Sequence, residues 1–143
     1  MGVALSFKEN LSGLLLIYGW FGLRDSCSAR LFCCQDVGIS EEDLTFYQDS
    51  YLDSPEDLTD LRLDVLKANL SGIPPVCLIA ADMDPLLDDS TTLAALLEQA
   101  GVSSELHLHK GVLHGFLHYS RMLDVAVTAL DQGADFLRKV LNL

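Results

Sequence analysis

Positive charge is scarce in this chain: nine Lys and Arg stand against twenty-one Asp and Glu, a formal net charge of -12 with an isoelectric point near 4.4. Such an excess repels phosphate backbones and anionic lipid at long range, which excludes nucleic acid and acidic membrane surfaces as partners. Long hydrophobic runs are missing too. The longest, around Leu14–Ile17, falls far short of the roughly 18 apolar residues of a membrane span, and neither a basic n-region nor a cleavage site precedes it. A soluble, cytoplasmic protein is expected. The cysteines Cys27, Cys33, Cys34 and Cys77 lack paired C-x-x-C spacing, and adjacent Cys33 and Cys34 could bridge each other only with strain. Reduced thiols are therefore expected. No two glycines are adjacent, and Gly-x-Ser-x-Gly, the strand-to-helix turn that exposes a nucleophilic serine, does not occur.

What is present fits one domain of 143 residues, half of them hydrophobic. The mean hydropathy of +0.28 is high for that size, as expected where some surface packs against further sequence. Met1 to Ser6 matches the myristoylation pattern, and Asn10-Leu11-Ser12 and Asn69-Leu70-Ser71 match the glycosylation sequon. Both are short strings without supporting context.

Two continuous apolar runs, Leu14 to Tyr18 and Pro75 to Ala81, have the pattern of strands buried on both faces of a parallel sheet. Ser104 to His109 is a third strand candidate. Between the last two, Thr91 to Ala100 reads as a helix, with Asp88, Asp89 and Ser90 as N-cap and first-turn residues and Gly101 just past its end. Strand, helix and strand make a βαβ unit. From Ser120 onward Leu123, Val127, Leu130, Ala134, Leu137 and Leu141 recur at helical spacing, predicting a terminal helix that lays this stripe on the sheet. Residues 39 to 66 concentrate acid around Phe46, Tyr47 and Tyr51. A helix N-capped by Ser40, with Asp43 three residues on, and a loop through Pro55 are predicted there as an insertion between strands.

Two segments carry candidate chemistry. Asp84 precedes Pro85, which biases it toward extended backbone and sets its carboxylate beyond the carboxyl end of the second strand, where open α/β sheets gather functional groups. Asp82, Asp88 and Asp89 compete with it; helix capping accounts for the last two and exposure at the strand end for Asp82. His114 stands between Gly111 and Gly115, whose backbone freedom permits a sharp path at the top of a sheet, and an imidazole titrates in the range of a general base. For an isolated histidine a turn or capping role is the commoner outcome. His107, His109, His114 and His118 raise a metal site, yet the first pair lies along a strand and the second follows a turn, so convergence on one ion is not implied. Asp82-Met83-Asp84-Pro85 lacks the pattern of a calcium loop. No metal and no cofactor are expected.

Leu14-Leu15-Leu16-Ile17-Tyr18-Gly19-Trp20-Phe21-Gly22-Leu23-Arg24-Asp25-Ser26, Ala81-Asp82-Met83-Asp84-Pro85-Leu86-Leu87-Asp88-Asp89-Ser90 and Leu113-His114-Gly115-Phe116-Leu117-His118-Tyr119 together resemble the hormone-sensitive-lipase-like α/β-hydrolases, most of all the bacterial acetyl esterases. The resemblance implies an α/β fold, here the carboxy-terminal portion of a hydrolase domain with about three parallel strands and flanking helices. It also implies Asp84 as triad acid, His114 as triad base, and a small-molecule ester of short acyl chain as substrate of the full-length family. Those enzymes carry a His-Gly-Gly-Gly loop and a Gly-Asp-Ser-Ala-Gly elbow ahead of the Leu14 strand; this chain has neither, so no nucleophile is assigned. Two roles follow as expectations: an esterase polypeptide with negligible activity alone, or a non-catalytic module that self-associates or recruits a partner through the open edge of the Leu14 strand.

Overall fold

The computed structural model describes residues 1–34 and 38–143. Strands β1 (Leu14–Ile17), β2 (Val76–Met83) and β3 (Ser104–Leu113) form a parallel sheet in the order β1-β2-β3. Leu14 pairs with Val76 and Ile17 with Ile79, while Val76 pairs with Ser104 and Ala81 with His109. Among the described residues the helices are α1 (Gly2–Phe7), α2 (Cys27–Phe32), α3 (Glu41–Tyr51), α4 (Leu87–Gln99) and α5 (Asp124–Leu141), with short 3-10 turns between them.

Because successive side chains of a strand point to opposite faces, β2 builds two cores at once. Val76 and Leu78 join Leu93 and Leu97 of α4, with Phe21, Val65, Leu70 and Ile73. Cys77, Ile79 and Ala81 join Ala126, Ala129 and Phe136 of α5, with Val112 and Phe116. Helices on both faces are what a continuous apolar strand requires. Residues 39 to 66 hold α3, a 3-10 turn at Pro55–Thr59 and another at Val65–Lys67. Ser40 caps α3 through a reciprocal pair with Asp43: the Asp43 N–H donates to Ser40 Oγ, and the Ser40 N–H donates to the Asp43 carboxylate.

The structure corrects the terminal helix. The predicted stripe faces outward: Val127, Leu130 and Leu141 are close to half exposed, and Ala126, Ala129, Gly133 and Phe136 are buried instead. The packed face is offset by one residue, about 100° of helical rotation. The helix approaches the sheet closely at Gly133, where a Cβ would lie 3.0 Å from Leu15 Cδ2. The helix also starts at Asp124, since Phe116–Tyr119 coil as a 3-10 turn first. At α4 the start moves the other way, to Leu87, with no side-chain cap from Asp88, Asp89 or Ser90. Instead the Leu86 N–H donates to Asp84 Oδ1 at 2.8 Å and the Leu87 N–H to the Asp84 carbonyl at 3.1 Å.

Strand β3 runs four residues beyond the expected end. Gly111 takes a φ of +72°, and the register slips between Ala81 and Met83, a bulge that bends the strand without ending it. Asp82, expected to be merely exposed, holds the bulge: its Oδ1 accepts the N–H groups of Gly111 at 2.8 Å and Val112 at 3.3 Å.

Candidate active site

Asp84 and His114 come together past the carboxyl ends of β2 and β3. The Asp84 carboxylate is 1% exposed, and its Oδ2 lies 2.9 Å from His114 Nδ1. Its other oxygen is taken by the Leu86 N–H, so the start of α4 fixes the carboxylate's rotation. His114 follows the last residue of β3 and precedes Gly115 at φ +78°, a left-handed turn that glycine adopts without strain. With Nδ1 committed to Asp84, Nε2 is the ring nitrogen left for proton exchange.

Tyr18 was not singled out by sequence. It continues directly from β1, its N–H donating to the Ile79 carbonyl at 2.7 Å, and it adopts φ +34°, costly for a side-chain-bearing residue. That backbone turn sets its ring edge-on to His114, centroids 4.8 Å apart, and 6.0 Å from Phe116. Burial first, and the Asp84 carboxylate second, push the Tyr18 hydroxyl above its ordinary pKa. An aromatic at the carboxyl end of an apolar strand was the available signal. His114 and Tyr18 border a cavity of about 530 Å³ whose other walls include Trp20 and, from α3, Leu44, Tyr47 and Tyr51. The lining is almost wholly apolar, suited to the hydrocarbon parts of a small ligand.

A second buried carboxylate holds the segment that follows Trp20. Asp89 Oδ1 accepts the N–H groups of Phe21 at 2.7 Å, Gly22 at 3.1 Å and Leu23 at 3.1 Å. Asp88 Oδ2 accepts the Ser28 N–H, while Ser28 Oγ donates to the Pro85 carbonyl. Both acids expected to cap α4 thus reach across to the segment after β1. Burial raises the Asp89 pKa to about 6, against the pull of its three N–H partners. Gly22 sits inside this loop at φ +125°, where a Cβ would fall 2.9 Å from the Asp64 Cα. Gly22→Ala should therefore cost about 2–4 kcal/mol through strain and overlap with backbone, read as a lower urea midpoint at unchanged m-value.

The four histidines do not gather. His114 is engaged by Asp84, His118 is exposed on a 3-10 turn, His109 is buried against Phe116 at 5.4 Å, and His107 lies 3.9 Å from Glu105. Ser26 caps α2, accepting the Ala29 N–H at 3.0 Å. All four cysteines are free.

A parallel sheet sandwiched by helices, with a buried acid and a histidine meeting beyond its strand ends, is an α/β-hydrolase arrangement. Residues 1–118 match the family of the alpha/beta hydrolase fold, and the chain belongs to it. An acetyl esterase of Salmonella choleraesuis is 42% identical over 128 residues, 89% of this chain and 40% of that protein. That of Salmonella typhi is 41% identical over the same shares. The chain thus spans about two fifths of the length of these relatives. Among solved structures, a thermophilic carboxylesterase from a metagenomic library shares the fold with a TM-score of 0.90 at 24% identity, over 98% of this chain and 50% of its own. An ester hydrolase from the metagenome of Lake Arreo matches at 0.88 and 26%, over 99% and 47%.

Proposed function

We propose that this chain supplies the acid and base of a serine-type carboxylesterase acting on short-chain acyl esters. The observation that carries the reading is the 2.9 Å contact of Asp84 Oδ2 with His114 Nδ1 beside an apolar cavity; identity with acetyl esterases supports the substrate class. In this mechanism His114 Nε2 removes the proton of a serine as it attacks the ester carbonyl. Asp84 holds the tautomer and stabilises the imidazolium, which then protonates the departing alkoxide; water attacks the acyl-serine with the same base. The sequence has no serine elbow, so the nucleophile comes from a further parallel strand laid against β1. Among the described residues that edge is open, since β1 pairs with β2 alone and its residues are only partly buried.

The 143-residue chain by itself should turn over p-nitrophenyl acetate no faster than its His114→Ala variant. Robust hydrolysis by the chain, abolished in that variant, would place the nucleophile within these residues and overturn the division of labour. A second reading, a non-catalytic module, draws on the same open edge together with the outward leucines of α5; concentration-dependent dimerisation on size exclusion that survives Leu130→Glu and Leu137→Glu would tie it to the β1 edge. The free thiols, two of them exposed, fit a reducing compartment such as the cytoplasm. Among the described residues no helix is long and apolar enough to cross a membrane.

A further inference from the structure

At the opposite end of the sheet from Asp84 and His114, three different metal-binding side chains share one face. Cys77 and Glu105 are register partners on β2 and β3, and His107 is the next same-face residue along β3. One ligand atom from each lies within 4.8 Å of the other two, a grouping of thiol, carboxylate and imidazole that is unique among the described residues. We propose that Cys77, Glu105 and His107 bind a borderline divalent cation of the zinc class, with water as the fourth ligand.

The donor chemistry points to that class. Thiolate and imidazole select zinc-like ions over magnesium or calcium, and a carboxylate oxygen is a zinc ligand as well. Ligand atoms on a tetrahedral zinc stand about 3.5 Å apart, so the group must close by roughly 1 Å from its present limit. Glu105 and His107 are both partly exposed, which leaves their side chains room to turn toward Cys77 without moving the backbone. Cys77 is the fixed corner, fully buried between the sheet and α5. A cleft whose wall includes Ser104, Glu105 and Phe136 opens beside the carboxylate of the set; Lys139, also on its wall, is exposed. His109, two residues further along, does not join the set, since it is packed on Phe116.

Without metal, burial and the neighbouring Glu105 push the Cys77 thiol up to about 11. Binding forms the metal–sulfur bond and breaks the S–H bond, and the thiol proton leaves to solvent, so affinity should rise with pH. The proposal rests on the sheet alone and is independent of the esterase reading.

The test uses the full chain with Cys27, Cys33 and Cys34 changed to serine, so that Cys77 is the one thiol. One equivalent of Co²⁺ should produce a thiolate-to-cobalt charge-transfer band, release a proton, and be displaced by Zn²⁺; zinc at a hundredfold excess over Kd should raise Tm by about 5 °C. Cys77→Ser should lose the band. His107→Ala, a change at a partly exposed residue that leaves the core intact, should weaken binding about tenfold or more. Absence of the band in the Cys77-only protein, or a band unchanged in both His107→Ala and Glu105→Gln, would overturn the site.

Discussion

Joined to an amino-terminal segment that carries a Gly-Asp-Ser-Ala-Gly elbow, the chain should hydrolyse p-nitrophenyl acetate, and His114→Ala should then lower kcat about 10⁴- to 10⁶-fold. The size follows from the division of roles. Nε2 is the only imidazole nitrogen not engaged by Asp84, and without it neither the serine proton nor the leaving alkoxide has a partner. Asp84→Asn should cost about 10⁴-fold, because an amide beside Nδ1 favours the wrong tautomer while leaving the side-chain volume unchanged. The 2.8 Å bond from the Leu86 N–H to Oδ1 orients the carboxylate, so the Asn variant should fold normally and separate chemistry from stability. Equal rates for the joined wild-type and His114→Ala proteins would remove His114 from the mechanism.

Stability should respond most strongly at Asp89. Its carboxylate, 2% exposed, is the acceptor for three successive backbone N–H groups; Asp89→Ala leaves them unpaired beneath α4 and should cost about 3–5 kcal/mol. Asp89→Asn keeps one oxygen acceptor and should cost about 1–2 kcal/mol. The two differ in kind as well as degree once pH is varied. Burial lifts the native carboxyl to about 6, above its ordinary value of 3.8, so between these values the unfolded chain has already lost the proton that the native state retains. Stability therefore declines as pH rises from about 4 to 6, by roughly 2–3 kcal/mol from this group, and is level in this respect above that. Chemical denaturation at pH 4.5 and 7 should show the decline in wild type and its loss in Asp89→Asn. A slope identical in both proteins would assign it to other groups.

Much of this architecture is legible in the chain because it is written in local patterns. The runs at Leu14 and Val76 are strands within a residue or two, and Ser40 with Asp43 marks the start of α3. Asp84 with Pro85, and His114 with Gly115, were visible as a pair only through their resemblance to a family; the 2.9 Å contact is a product of sheet topology that no spacing discloses. What stayed hidden depended on tertiary choice. Two apolar faces compete on α5, and the one with Ala126, Ala129, Gly133 and Phe136 packs inward, with Leu15 and Ile79 leaving no room for a side chain at Gly133. Asp89 looked like a capping residue since a helix start was its nearest use, whereas its N–H partners lie 66 or more positions away. Tyr18 needed its positive φ to show that it is aimed at His114.

The pairing of β2 with both neighbours also sets an order of assembly. Val76 meets Ser104 across one intervening helix, but it meets Leu14 across everything between β1 and β2. Each doubling of a closed loop adds about 0.6 kcal/mol of entropic cost, and non-local pairings form more slowly. The β2-α4-β3 crossover is thus the expected folding nucleus, and it already contains Asp84 and ends at His114. Strand β1, with Tyr18 and the loop held by Asp89, docks afterward. Destabilising changes at Leu93 or Leu97 should slow folding, while changes in β1 should chiefly speed unfolding.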